Sequence, residues 1–312
     1  MRALPLLLLA GCAATGPAAG FDVRVVYLYP SDQERFPEYE RAIEQCVAEV
    51  KAWYREKAGV DFRTRPLEVI RGKEDYRTMR GGDAFDRDRW VESVERACGG
   101  WRPRTVTWVF AQGGGGVACA NLQGEWAGFG MFGDWVLEPI SGVPNPKGIT
   151  AAMCEKKIYV TGGTPVGTTV HELGHAFGLH HPDGYAPREK TIMLAHWEYP
   201  KTGFLEHELM VLRHSPFTSP AGWDEGAPFV DYITDDACEW GKDLAVVGRG
   251  FVRGDEVEFV DVRGARRAAP MVIEDGRLVV RVPSGLGPGV VRVRRGSLRS
   301  NAVPLNVYEK KP

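Results

Sequence analysis

The sequence has no long hydrophobic run near its start and almost no excess of charge. The leucine run of residues 6–9 is far shorter than the roughly 20 apolar residues that a helix needs to span a bilayer. Lys and Arg number 39 against 41 Asp and Glu. A chain this close to neutrality gives no general electrostatic reason to bind nucleic acid. Its 312 residues, 44% of them hydrophobic, predict two domains with a core each.

Three kinds of ligand motif are also missing. No CxxC or CxxH spacing indicates a cysteine-based metal site. No DxDxDG stretch indicates a calcium loop. The glycine run at 113–116 is followed by neither a Lys-Ser/Thr pair nor a helix pattern, both of which a phosphate loop requires. We therefore interpret this run as a surface loop.

The N-terminal dozen residues have the pattern of an export signal. Arg2 precedes the leucine run, and Leu9-Ala10-Gly11-Cys12 resembles the lipobox of bacterial lipoproteins. That resemblance implies a signal peptide at 1–12, acylation of Cys12 and a tether at 13–20, with the rest of the chain in water. The absence of Asp after Cys12 favours the outer membrane or cell surface. The alternative is an ordinary signal peptide that happens to end in cysteine.

Five further cysteines raise the question of disulfides, which persist outside the cytoplasm. Cys46 and Cys98 lie in helix-like segments, and Cys119 and Cys154 flank a glycine-rich region. These are the two candidate pairs. One cysteine remains unassigned.

Between residues 21 and 220 the pattern mixes strands and helices. Alternating or β-branched segments predict strands at 21–30, 60–70, 105–112, 125–137 and 155–163. The strand at 125–137 is predicted to be an irregular edge strand. Three- and four-residue apolar spacing predicts helices at 37–59 and 85–100, a third that starts at Thr164 and Pro165, and a fourth at 203–217.

The pattern changes near residue 225 to short strands separated by turn signals every ten residues or so, which predicts an all-β sandwich. Residues 228–309, with "GRGFVRGD", "VPSGLGPG" and "SNAVPLNV", resemble the IPT/TIG family of immunoglobulin-like domains. Residues 241–312 hold 14 Lys and Arg against 8 Asp and Glu. This surplus leaves two interpretations: contact with an anionic envelope polymer or protein, or solvated sandwich faces.

The stretch "VHELGHAFGLHHP" contains the chemically informative residues. His171 and His175 lie four apart, so a helix presents both imidazoles on one face. Two such nitrogens suit one Zn²⁺ ion. Glu172 lies beside them, where a carboxylate can accept a proton from an activated water.

A catalytic zinc site needs a third protein ligand. Gly178 can end the helix in the left-handed conformation and turn the chain back towards the metal. His181 follows three residues later and is the preferred ligand. His180 is the alternative ligand. Neighbouring residues in a turn point in different directions, so we expect only one of these two histidines to bind the metal.

The full pattern, His171-Glu172-x-x-His175-x-x-Gly178-x-x-His181, resembles the metzincin zinc peptidases and most closely their matrixin-type variant. The resemblance covers residues 21–220 and implies an α+β catalytic domain with a mixed twisted sheet. It also implies that Met193 forms the Met-turn beneath the metal. Some metzincins have an oxyanion-binding tyrosine where this chain has Ala195, so His196 or Tyr199 is a candidate substitute.

Together these patterns predict a lipid-anchored extracytoplasmic zinc endopeptidase with Glu172 as general base, followed by an immunoglobulin-like sandwich. A polypeptide is the expected substrate. A second interpretation is an envelope-binding or adhesion lipoprotein whose metzincin-like part is catalytically silent, against which the intact Glu172 argues. A third is zinc-dependent hydrolysis of a non-peptide amide.

Overall fold

The computed structural model describes residues 20–83, 85–115, 118–123, 126–145, 164–181, 190–219, 224, 226–235, 237–274 and 276–308. Its first part is built on a five-stranded sheet. The strands are β1 (Asp22–Tyr29), β2 (Glu68–Arg71), β3 (Thr105–Ala111), β4 (Ala118–Gln123) and β5 (Ala127–Phe132). Their order is β2-β1-β3-β5-β4. Only the β4–β5 pair is antiparallel, so β4 forms one edge of an otherwise parallel sheet.

Helices cover both faces of this sheet. They are α1 (Pro37–Ala58), α2 (Tyr76–Met79), α3 (Arg87–Cys98), α4 (Asp134–Ser141), α5 (Thr164–Ala176) and α6 (Glu206–His214). Residues of β1 alternate between two cores: Val25 packs with α1, α4 and α5, whereas Val26 packs with α3. This alternation follows from the two-residue period of a strand. Because β1 is buried on both faces, its sequence is apolar almost throughout and does not alternate strictly between apolar and polar residues.

Helix α1 follows from local sequence. Pro37 occupies its first turn, where the missing N–H has no intrahelical partner. Gly59 ends it at a φ of 66°, a left-handed conformation that glycine adopts without penalty. The residues that give α1 its three- and four-residue apolar spacing are buried, apart from the half-buried Val47.

The prediction of a single strand at 125–137 was wrong in part. The chain forms β5 up to Phe132, and after Gly133 it begins α4 at Asp134. The edge position belongs to β4 instead. The predicted strand at 60–70 is shorter, with regular pairing only from Glu68. The predicted strand at 155–163 lies outside the described residues.

The predicted disulfide between Cys46 and Cys98 does not form, since both are free thiols. Cys46 lies in the core beneath α1, and Cys98 lies in the core beneath α3, on the other face of the sheet. A sheet between two cysteines holds them too far apart for a bond that requires Cα atoms within about 7 Å. The pair Cys119–Cys154 is not tested, because Cys154 lies outside the described residues.

The C-terminal part is a sandwich of two mainly antiparallel sheets, as the turn spacing predicted. Its strands are β6 (Phe229–Ile233), β7 (Ala237–Glu239), β8 (Asp243–Arg249), β9 (Glu256–Asp261), β10 (Gly264–Ala268), β11 (Val272–Glu274), β12 (Arg277–Arg281), β13 (Gly289–Arg295) and β14 (Leu298–Tyr308). The sheet orders are β10-β9-β13-β14-β7 and β11-β12-β8-β6. Strand β6 is therefore an edge strand.

The two parts share apolar packing. Val290 and Ala302 of the sandwich belong to the same buried cluster as α1, α5 and α6. The Phe229 ring meets the Trp126 ring edge-on at 6.3 Å. In the segment between the two parts, the Asp224 carboxylate accepts three bonds from Arg299: from its backbone N–H at 2.8 Å, from Nε at 3.0 Å and from Nη2 at 3.4 Å. The sandwich is thus packed against the first part and is not joined to it by the chain alone.

Among the described helices, none combines the length and apolar character that crossing a bilayer requires.

Candidate metal centre

Helix α5 carries two of the three predicted ligands and packs closely against its neighbours. A Cβ atom on Gly167 would lie 2.0 Å from the backbone oxygen of His196. Only glycine therefore allows the short helical turn at 196–198 to pack against α5. This contact places the segment that follows Met193 beside the histidine-bearing face of the helix.

The three predicted ligand nitrogens converge on one point. The Nε2 atom of His175 lies 3.1 Å from that of His171 and 3.1 Å from that of His181. The third side of the triangle, between His181 and His171, is 3.2 Å. Nitrogens held at about 2.0–2.1 Å from a tetrahedral zinc ion stand roughly 3.3 Å apart. These histidines form the candidate metal cluster among the described residues.

The hydrogen bonds on the far side of two rings determine their tautomer. His171 Nδ1 lies 2.9 Å from the Ile192 carbonyl oxygen, and His175 Nδ1 lies 2.8 Å from that of Leu179. A carbonyl only accepts, so each Nδ1 carries the proton and each Nε2 presents a lone pair. Lone pairs that face one another at this distance repel unless a cation lies between them. The residues therefore fit a bound metal ion.

The electrostatic environment keeps two of these histidines neutral. Burial is the main cause that lowers the pKa of His171, and His175 lowers it further. Burial also lowers the pKa of His175 to about 4, despite the opposing bond to Leu179. Neutral imidazole is the form that binds a metal.

The turn after α5 is the one that the sequence predicted. Gly178 has a φ of 101°, and the Leu179 N–H donates to the Gly174 carbonyl at 2.9 Å. This turn brings His181 back to the other two ligands. His180, the alternative ligand, does not belong to the cluster.

Met193 lies buried in the turn 192–194, and its sulfur would be 2.6 Å from a Cβ atom on Gly174. Thr191 holds this turn in place. Its hydroxyl donates to the Glu208 carboxylate of α6 at 2.5 Å and accepts from the Met193 N–H at 3.2 Å. The Leu205 N–H donates to the same Glu208 oxygen at 2.8 Å. Thus α6 positions both ends of the segment that contains Met193.

Glu172 follows the first ligand on α5 and is 9% exposed. Burial raises the pKa of its carboxyl to about 8. Burial and, to a lesser degree, the negative charge of Glu172 raise the pKa of the Cys119 thiol on the edge strand β4 to about 12. The carboxyl group can therefore carry or release a proton near neutral pH.

The two candidate oxyanion helpers differ in position. The Tyr199 hydroxyl donates to Glu49 of α1 at 2.8 Å, so its proton is committed to that bond. The His196 ring centre lies 5.1 Å from that of His171. Burial lowers the pKa of His196, and its Nδ1 has no hydrogen-bond partner among the described residues. Of the two, His196 is the one next to the site.

Several functional positions could not have been identified from the sequence. The carbonyl oxygens of Ile192 and Leu179 orient the ligand rings, and the Thr191–Glu208 bond fixes the turn beneath them. A backbone oxygen leaves no residue-type signal.

The predicted lipidation site, Cys12, lies outside the described residues.

Comparison with known proteins gives weak similarities. No protein-family model matches the chain, and no curated protein matches its sequence. A catalytically inactive form of OgpA from Akkermansia muciniphila, solved in complex with an O-glycopeptide (glycodrosocin) substrate, is 14% identical. That match covers 91% of this chain and 90% of the other, with a TM-score of 0.44.

Two further structures match shorter parts. The TIG domain of human nuclear factor of activated T-cells, cytoplasmic 4, is 21% identical over 26% of this chain and 88% of its own length, with a TM-score of 0.22. A structural-genomics protein of unknown function from Bacteroides thetaiotaomicron is 17% identical over 28% of this chain, with a TM-score of 0.25. The match spans only 23% of that protein's length.

Proposed function

We propose that this chain is a zinc-dependent endopeptidase of the metzincin type, with residues 21–220 as its catalytic domain and residues 228–309 as an IPT/TIG-like module. The observation that carries the proposal is the triangle of Nε2 atoms from His171, His175 and His181, with sides of 3.1–3.2 Å. Zinc is the metal that this donor set favours, since three neutral imidazoles with an open fourth position are typical of catalytic zinc.

A zinc ion supplies a Lewis acid that lowers the pKa of water and polarises a carbonyl. Glu172 accepts a proton from the attacking water and delivers it to the leaving amine as the C–N bond breaks. Its pKa of about 8 in the buried site suits both steps, and a nearby cation shifts it towards the base form. Next to His171, His196 can donate a hydrogen bond to the developing oxyanion.

A polypeptide is the substrate that the surroundings of Glu172 favour. Helix α5, which carries Glu172, packs against β4, the edge strand of the five-stranded sheet. An edge strand presents unpaired backbone groups to which an extended chain can add. A peptide bond held along β4 would therefore lie close to Glu172.

We also propose that the chain is lipid-anchored through Cys12 in the cell envelope, outside the cytoplasm. The support is the sequence Leu9-Ala10-Gly11-Cys12 and the small-residue tether after it. A single acyl chain binds a membrane only marginally, so stable anchoring requires more than one.

The function is tested with denatured casein and the chain from residue 20 onwards, with and without a zinc chelator. We expect chelator-sensitive cleavage. Glu172→Gln should retain one zinc ion per chain and reduce turnover by about 10²–10⁴-fold, whereas His175→Ala should lose both zinc and activity. Wild-type turnover in Glu172→Gln would refute the assignment of the base. A zinc-loaded protein that cuts no peptide bond would favour the silent scaffold or the non-peptide amide.

A further inference from the structure

The metal centre opens into a cleft that both parts of the molecule line. The cleft has a volume of about 470 Å³ and is bordered by His175 and His181. On the side of the five-stranded sheet it is lined by residues 120–123 of β4. On the side of the sandwich it is lined by residues 229–234, which include all of β6. A segment more than 40 residues beyond the last ligand in sequence thus forms a wall of the same cleft.

The two strands that border the cleft share a structural property. Strand β4 ends the sheet order β2-β1-β3-β5-β4, and β6 ends the order β11-β12-β8-β6. Each is therefore an edge strand. Unpaired backbone groups at an edge such as that of β4 bind an extended chain by strand addition, whereas a compact small molecule does not require them. On β6 the backbone groups of Val230 are bonded to Asn301, so β6 contributes mainly side chains to the cleft. A cleft between two edge strands fits an extended polypeptide segment.

The position of β6 is fixed. The Val230 N–H donates to the Asn301 side chain at 2.7 Å, and the Asn301 amide donates back to the Val230 carbonyl at 2.5 Å. The Trp126 ring packs against Phe229 from the other side. Contacts with Asn301 of the sandwich and with Trp126 of the first part therefore fix the position of β6. This wall of the cleft is preorganised before a ligand binds.

The surface that β6 offers is suited to a side chain of a ligand. The pairing of β6 with β8 shifts register between Val230 and Tyr232, a bulge that changes the direction of the side chains around it. Tyr232 lines the cleft and is 56% exposed. A large aromatic side chain exposed in a cleft gives a large contact area at little cost in conformational entropy.

We propose that β6 is a substrate-recognition strand. The polypeptide segment that adjoins the cleaved bond lies between β4 and β6, and Tyr232 contacts one of its side chains. The inference rests on the proposed peptidase function and deepens it. It makes the sandwich a determinant of specificity in a site whose catalytic residues all belong to the first part.

The test compares a long and a short substrate. A bond that the wild-type chain cuts in denatured casein is placed at the centre of a ten-residue peptide and of a four-residue peptide. Tyr232→Ala should raise KM for the ten-residue peptide about tenfold and leave kcat unchanged. It should leave both constants unchanged for the four-residue peptide, which is too short to reach β6. Tyr232→Phe, which keeps the ring, should behave as wild type.

A binding measurement gives a readout that does not depend on turnover. In the Glu172→Gln background, Tyr232→Ala should weaken binding of the fluorescently labelled ten-residue peptide by the same factor. Val262→Ala is the matched control: Val262 is 58% exposed on the sandwich and does not line the cleft.

Each outcome decides between the two proposals. If wild type cuts casein but Tyr232→Ala changes neither KM nor affinity, or changes both peptides equally, this inference is wrong and the peptidase stands. If the zinc-loaded wild type cuts no bond, the peptidase function fails, and the role of β6 as a substrate strand fails with it.

Discussion

At the scale of single residues, Glu172 is placed where its charged form is disfavoured. The carboxyl group is buried on the helix that carries His171 and His175, and burial raises its pKa to about 8. Such a carboxyl is useful for catalysis because its pKa lies close to working pH. It also makes the metal-free protein less stable, and this cost is measurable.

The pH dependence of that cost has a definite sign. In the unfolded chain Glu172 loses its proton near pH 4.3, whereas in the folded, metal-free protein it keeps the proton up to about pH 8. Between these values the unfolded state binds fewer protons, so this group lowers the free energy of unfolding as pH rises. The neighbouring histidines also make the free energy of unfolding depend on pH. They do so in both the wild type and a Glu172 variant, so their effect cancels when the two are compared.

We therefore expect metal-free Glu172→Gln to be more stable than the metal-free wild type at pH 8, by roughly 4–5 kcal/mol. The two proteins should differ little at pH 4. Urea denaturation in the presence of a chelator measures both differences. Added zinc should reduce the gap at pH 8, because a cation stabilises the carboxylate. A gap of equal size at both pH values would contradict the buried pKa.

At the scale of elements, the packing of α5 requires the backbone of the 196–198 segment to lie very close to the helix at Gly167. The backbone oxygen of His196 occupies the space where Gly167 would carry a Cβ atom, 2.0 Å away. A backbone atom cannot rotate away as a side chain can. A methyl group at this position must therefore displace the 196–198 segment from the three clustered histidines.

Gly167→Ala should accordingly lower the free energy of unfolding by about 1–3 kcal/mol. The matched control is Gly203→Ala, where a Cβ atom would meet nothing within 4 Å and φ is not positive. Chemical denaturation of both variants measures the effect. The packing argument fails if the two substitutions cost the same.

At the scale of the whole molecule, the sandwich contributes to the core of the first part. Val290 and Ala302 are buried in the same cluster as α1 and α5, and Phe229 packs on Trp126. We expect the full chain from residue 20 to unfold in one cooperative transition. A fragment that ends at residue 227 should unfold at lower urea concentration, because the surface under Phe229 becomes exposed. Two independent transitions in calorimetry of the full chain would contradict this coupling.

The lipid anchor is a separate prediction at the same scale. When the full sequence is expressed in a Gram-negative host, the wild type should incorporate labelled fatty acid and fractionate with the outer membrane. Cys12→Ser should do neither, since the thiol is the acylated group in the lipobox interpretation. Labelling of Cys12→Ser to the wild-type level would exclude that interpretation.

How far the sequence predicts the site depends on distance along the chain. His171, Glu172, His175, Gly178 and His181 lie within eleven residues, and helix geometry with one left-handed turn brings them together without any long-range contact. Their positions could therefore be predicted from spacing alone. The sandwich strands could be predicted for the same reason, since each turn is local.

Only the tertiary structure decided what long-range packing controls. It placed Cys46 and Cys98 on opposite faces of a sheet, which excluded their disulfide. It put β4, and not the segment at 125–137, on the sheet edge. It brought Glu208 to Thr191 and brought β6 to the cleft that His175 and His181 border. None of these contacts leaves a local signature, because each joins segments whose own patterns are satisfied by many arrangements.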